Sequence, residues 1–301
     1  MLKSIKYVCL LFIFFVNGFC QKSSTGWWIL RRPQSTKPKS VTAVAAVRGD
    51  LSGVFYNPAI TGVTSQKEIF LMNELGLAND VFGGILYGHP FKNSSSLIAG
   101  LIYYNAGRTT LYYYEKGRLL SREVDLQKDF LTILSYGRKI KDKFSFGVSA
   151  KLVNSNIAEV ADATAIAVDF GTILFSNING LSISFAIQNL GFSNEFLDKT
   201  DDLPTSLWAG INYSKVIFKH SYFCFGIEMP YILKENRTLA SLGIEYVYKE
   251  FGINFGYIFG LEDATFHLGF GFGVGKFDIG YSFIPTKYLS SIHRISVGIR
   301  F

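Results

Sequence analysis

The end of the chain sets the pattern. Ile295, Val297, Ile299 and Phe301 alternate with Arg294, Ser296, Gly298 and Arg300. That is a period of two, with one apolar face and one polar or small face, as in a strand whose two sides meet different surroundings. The pattern recurs upstream. Phe277, Ile279, Tyr281 and Phe283 alternate with Lys276, Asp278, Gly280 and Ser282, and Phe266, Leu268, Phe270, Phe272 and Val274 alternate with Thr265, His267 and three glycines. It returns at 251–259, 223–229 and 144–152. Each run is about the length a tilted strand needs to cross a bilayer.

Such segments are expected near 67–76, 81–89, 96–104, 129–138, 143–153, 163–175, 181–189, 204–213, 219–229, 238–248, 250–259, 264–275, 276–284 and 293–301. The connections alternate in length. Short ones are expected at Lys141-Asp142, Asn177–Gly180, Lys215, Lys249-Glu250 and Gly275-Lys276, and longer ones at 105–128, 154–162, 190–203, 230–237 and 285–292. An even strand count with loops long on one side and short on the other is the signature of a transmembrane antiparallel β-barrel. The expected fold class is therefore all-β, a single barrel of about 14 strands with an N-terminal hatch or plug segment.

Composition sharpens this. The 301 residues suit one large all-β domain or two small ones. With 49% hydrophobic and only 18% charged residues, the chain can bury a sizeable core and is not disordered. No segment beyond the N-terminus holds 18 uninterrupted apolar residues, which excludes a helical membrane protein. A barrel reconciles the two facts, because alternation hides its apolar load. A soluble secreted β-protein is the non-membrane alternative, and it leaves the aromatic content, the loop asymmetry and the terminal Phe301 unexplained.

The N-terminus reads as a signal peptide over residues 1–20. Lys3 and Lys6 form a positive region and Tyr7 to Val16 an apolar one, with Gly18, Phe19 and Cys20 at the cleavage position. Cys20 also fits a lipoprotein cysteine, against which the bulky Phe19 argues. Cleavage leaves Cys224 alone, so no intrachain disulfide is expected. It also leaves 28 basic residues against 23 acidic, a mild positive balance without any basic run suited to nucleic acid.

Residues 21–66 do not read as barrel wall. Trp27, Trp28, Arg31, Arg32 and Pro33 are irregular, and the stretch from Ser40 to Val63 is rich in small residues without strand alternation. Within it, Val41 to Val47, Asp50 and Phe55-Tyr56-Asn57-Pro58-Ala59 resemble the N-terminal region of the PorV/PorQ group of FadL-like outer-membrane proteins. Tyr136 to Val153, Phe185 to Gly191 and the last strand at 293–301 are similar to that family too. AVAAVRGD is poorer in glycine than relatives often are. The resemblance implies a 14-stranded barrel, 67–301, with a periplasmic or hatch segment at 21–66. FadL-like members pass hydrophobic small molecules, whereas PorV and PorQ serve type IX secretion; a surface barrel without cargo is a further alternative. The implied location is the bacterial outer membrane, and Phe301 resembles the terminal assembly signal of such barrels.

Candidate site residues follow. Asn57, Pro58 and Ala59 form a hatch motif, in which Pro58 fixes φ and Asn57 favours a turn; a purely structural turn is the simpler reading. By parity Trp208, Glu228, Glu245, His267, Asp278 and Arg300 face the lumen, as do Lys151, Asp169 and Cys224. They either line a polar path or hold wall and plug together. Gly269, Gly271, Gly273 and Gly275 lack the strand–turn–helix setting of a phosphate loop. The four histidines show no metal-ligand spacing and no serine pairs with one, so no catalytic, cofactor-binding or metal residue is expected. Expected partners are outer-membrane lipid, the barrel assembly machinery, and either secretion-system proteins or a hydrophobic small molecule; nucleic acid is not expected.

Overall fold

The computed structural model describes residues 26–31, 50–76, 80–196, 200–263, 265–288 and 290–301. The wall is a closed antiparallel barrel of 14 strands: β1 (Glu68–Leu75), β2 (Val81–Pro90), β3 (Ser95–Asn105), β6 (Gln127–Ile140), β7 (Phe144–Ile157), β8 (Ala161–Phe175), β9 (Leu181–Ser193), β10 (Ser206–Val216), β11 (Ser221–Ile232), β13 (Ala240–Tyr248), β14 (Phe251–Phe259), β15 (Phe266–Val274), β16 (Phe277–Ile284) and β17 (Ile292–Arg300). Each strand pairs with its neighbours in sequence, and β17 pairs with β1 from Arg300↔Glu68 to His293↔Leu75, which closes the sheet. A two-residue strand, β12 (Arg237–Thr238), adds to the end of β11.

Burial follows the parity of the sequence. Along β6, Asp129, Leu131, Ile133, Ser135 and Gly137 are buried, while Phe130, Leu134 and Tyr136 between them are exposed. The exterior displays Leu71, Leu101, Phe170, Phe185, Ile253, Phe270 and Ile295 among many exposed apolar side chains. A closed wall whose outward face is this greasy belongs in a bilayer. We call the end where β1 begins and β17 stops the near rim, and the opposite end the far rim.

Three connections depart from expectation. The expected loop at 105–128 folds as a hairpin, β4 (Arg108–Glu115) with β5 (Arg118–Asp125). It continues the β3–β6 ladder through Ala106 N to Gln127 O and Leu126 N to Gly107 O, and so projects past the far rim by about 25 Å. The 154–162 loop shrinks to residues 158–160, because β7 and β8 run on to Ile157 and Ala161. The turn expected at Lys215 lies at 217–220, with Lys215 still paired to Phe223 in the ladder.

Inside, residues 50–66 line the wall near the near rim. Asp50 caps a 3-10 turn, Leu51–Phe55, by accepting from Ser52 N at 3.0 Å. Asn57 Oδ1 accepts from Ala59 N at 2.9 Å and starts a second turn, Pro58–Val63, with Pro58 at its first position. The wall makes room with glycine. Gly137, Gly147 and Gly171 are successive register partners on the inward face. A Cβ on Gly147 would strike the Pro58 carbonyl, and one on Gly171 the Asn57 side chain. Backbone lies against backbone there, which only glycine permits.

Replacing Gly147 with valine should therefore overpack the seat of Pro58 at a cost of about 1–3 kcal/mol. The thermal unfolding midpoint of the detergent-solubilised barrel measures it. An unchanged midpoint would mean that residues 57–62 do not rest on this wall.

Candidate functional site

The lumen has two unlike sides. On the side of β1 to β3 and β6 to β8, apolar inward residues gather round the inner segment, among buried serines, Asp129, Lys151 and Asp169. Phe70, Met72, Phe82, Leu86, Ile98, Ile102, Leu131 and Ile133 pack with Leu51, Val54 and Phe55 of the inner segment and with Trp27 and Ile29 into one buried cluster. On the side of β11 to β17, neighbouring inward positions run Cys224, Glu245, Asn254, Gly269, Ser282 and Arg294 to Glu74. Asn254 Oδ1 lies 3.1 Å from Nε2 of His267, and Arg294 forms a buried ion pair with Glu74.

The inner segment is tied to the wall by polar contacts at defined points. Asn57 Nδ2 donates to the carbonyls of Thr172 at 3.2 Å and Phe185 at 3.3 Å. Ser145 Oγ donates to Ala59 O at 2.7 Å, Thr61 Oγ1 lies 2.7 Å from Ser135 Oγ, and Gln188 Nε2 donates to Phe55 O at 2.7 Å. Tyr56 meets Trp208 edge to face, with ring centroids 6.2 Å apart. Asn57, Pro58 and Ala59 thus sit buried against the wall, with their backbone and side-chain groups engaged by β7, β8 and β9.

Residues 26–31 lie at the other end. Trp27 is fully buried; its Nε1 donates to Asp201 O at 3.0 Å, and its ring lies 5.0 Å from that of Phe196. Gln127 Nε2 donates to Gly26 O at 3.1 Å, and Arg31 pairs with Glu235. Asp201, Phe196 and Glu235 all belong to far-rim connections. The described parts of the N-terminal region thus touch both ends of the barrel.

Between them lies a buried latch. Lys151 Nζ reaches Asp169 Oδ2 at 2.6 Å and Asn189 Oδ1 at 2.9 Å; Asn189 N donates to Asp169 Oδ1 at 2.7 Å, and its Nδ2 to Leu30 O at 3.4 Å and Pro204 O at 3.2 Å. Asn189 has φ +56°, at the place where the β8–β9 register shifts between Val168 and Phe170. This is a bulge, and the extra residue brings Gln188 and Asn189 both to buried positions.

The remaining sequence candidates lie as follows. Glu228, Glu245 and His267 are buried, and Trp208 is half-buried. Arg300 bridges Asp278 at 2.9 Å and Glu68 at 3.4 Å at the near rim. Phe301 points outward, stacks on Tyr87 at 6.5 Å, and donates its N–H to Lys67 O at 3.0 Å. Asp278 and Arg300 meet, and Glu245 and His267 share Asn254 as neighbour; Trp208 instead joins the inner segment. The roles of Trp27, Gln188 and Asn189 were not evident from sequence. The inward glycines 137, 147 and 171, set among bulkier residues, were the available signal for a close approach. Among the described residues no group of three or more His, Cys, Asp or Glu gathers as a metal site.

No protein-family model matches the chain, and no curated protein matches it by sequence. Solved structures do. The P. putida toluene transporter TodX aligns over 84% of this chain and 94% of its own, with a TM-score of 0.59 and 13% identity. A Pseudomonas aeruginosa FadL homologue aligns over 94% and 99%, at 0.55 and 9%. The CymD monoaromatic hydrocarbon channel aligns over 85% and 97%, at 0.54 and 12%. These likenesses are of fold. With its apolar exterior, the fold defines a 14-stranded transmembrane β-barrel of the kind found in bacterial outer membranes.

The latch gives a test. Lys151→Met strands the Asp169 carboxylate in the interior and should cost about 3–5 kcal/mol, whereas adding Asp169→Leu should recover most of it. Chemical unfolding in detergent compares them. Equal stability of wild type and single variant would show that the pair does not hold the interior together.

Proposed function

We propose that this protein is an outer-membrane barrel of the PorV/PorQ, FadL-like type that passes hydrophobic compounds across the bacterial outer membrane, with residues 21–66 as its hatch. The observation that carries the reading is the one-sided lumen. A general porin needs a water-filled path, yet here inward apolar residues of β1, β2, β3 and β6 pack with apolar residues of the inner segment. An apolar solute loses little by replacing such contacts, whereas a polar one would lose its hydration. Asn57, Pro58 and Ala59 form the part of the hatch seated on glycine, where a small shift opens backbone-sized space. The toluene transporter and the hydrocarbon channel that share the fold agree with this chemistry. In this reading residues 1–20 are a signal peptide removed on export, the near rim is periplasmic, and Phe301 serves the assembly machinery. Trp208, Glu228, Glu245, His267, Asp278 and Arg300 support the hatch and the lumen wall. No catalytic role is assigned.

A second reading, type IX secretion, draws on the PorV/PorQ-like motif and on the projecting hairpin. Tyr112, Tyr114 and Leu119 stand exposed on it, as on a partner-binding platform.

Mass spectrometry of the protein purified gently from native membranes decides between them. A lone barrel carrying a defined apolar molecule is the expected result. Abundant co-purified secretion components or secreted cargo would replace the first reading with the second, and recovery in the soluble fraction would overturn both.

A further inference from the structure

The exterior of a barrel is convex overall, but the widest of the hollows described on this wall is a deep groove. Between β6 and β11 the lipid-facing surface holds an apolar groove of about 1240 Å³. Its floor is a single register row, Gly147, Gly171, Ala186 and Trp208, continued by Pro230. Outward residues on either side form its banks: Val148, Phe170, Ile187 and Leu207 above, Phe185 and Ala209 below. The ladder is continuous along the floor, so the groove is a dent in the wall and not a hole through it.

The dent has two visible causes. Inside, the floor is drawn onto the inner segment at Pro58 and Asn57, and Tyr56 packs on Trp208. Just above it, the bulge at Asn189 bends β9. The outward alanine, Ala209, stands in register between Phe185 and Met229 and leaves the lower bank open.

The occupant is set by where the groove lies and by where its polar atoms are. It opens onto the hydrocarbon that surrounds the apolar belt. Its upper end reaches the far rim, where Asn236, Thr238 and the Tyr231 hydroxyl gather, the last donating to Asn236 Oδ1 at 2.7 Å. An apolar trough with a polar cluster at the water-facing end matches a chain with a head. We propose that the groove is a binding site for one lipid of the surrounding bilayer. Its acyl chain lies along the glycine–alanine floor, and its polar head meets Asn236 and Thr238. The proposal requires the membrane setting but not the transport reading.

Native mass spectrometry in mild detergent tests it, after exchange into bilayer discs of a single defined phospholipid and re-extraction. Wild type should retain one phospholipid per barrel. Ala209→Trp, which fills the trough from the lipid side without touching the ladder, should retain about tenfold less. Ile295→Trp, on the lipid face of β17, should behave as wild type. Bare wild-type barrels, or equal retention by wild type and Ala209→Trp, would overturn the proposal, as would equal loss in the Ile295 variant. Thermal midpoints of all three, expected to agree, keep the result from being a folding artefact.

Discussion

Everything in this molecule depends on the closure of its backbone hydrogen bonds. In hydrocarbon an unpaired N–H or C=O has no water to turn to, and an open sheet edge is untenable. The β1–β17 seam and the β10–β11 pairing leave the barrel without an edge. Once the ladder is closed, parity dictates which side chain meets lipid and which meets the lumen. Among the described residues the register of the wall shifts between Val168 and Phe170, where Gln188 and Asn189 both turn inside. The exception to the ladder is thus where the inner chain is fastened.

The lumen is divided between two kinds of chemistry. The apolar half gains from burial in the ordinary way. Charges in the lumen are held in pairs, Glu74 with Arg294 on the polar side and Lys151 with Asp169 beside the apolar cluster, all nearly inaccessible. Such pairs contribute little net stability over an apolar filling, but a half-pair is costly. They act as positional constraints: β1 and β17 meet in one register, and the far-rim segment at Leu30 docks at one bulge.

Most of the wall was legible in the sequence, because lipid on one side and a filled lumen on the other impose the sharpest possible alternation. The runs ending in Val274, Ile284 and Arg300 could be read residue by residue. Where only one kind of surrounding acts, legibility fails. The β4–β5 hairpin is solvated on both faces, so Tyr112 to Tyr114 carry no two-sided pattern and read as loop. The turn at 217–220 is displaced because Lys215 and Val216 are exposed strand residues at a rim, where polarity no longer reports the end of a strand. The bulge at Asn189 leaves no mark in composition. Inward glycines were visible, but not their purpose, which needs the register of Gly137, Gly147 and Gly171 across three strands. The signal-peptide region and the small-residue stretch Val41 to Val47 lie outside the described residues. Lumen facing was legible; who meets whom was not, since Arg294 and Glu74 are 220 residues apart.

The places of the described N-terminal residues bear on closure of the wall. Residues 26–31 rest at the far rim, residues 50–66 near the near rim, and β1 departs directly from the latter. The seam between Glu68 and Arg300 joins partners 232 residues apart, so the wall closes only when its first and last strands meet. Closure of the wall therefore also fixes where the described inner residues, continuous with Glu68, sit at the near rim.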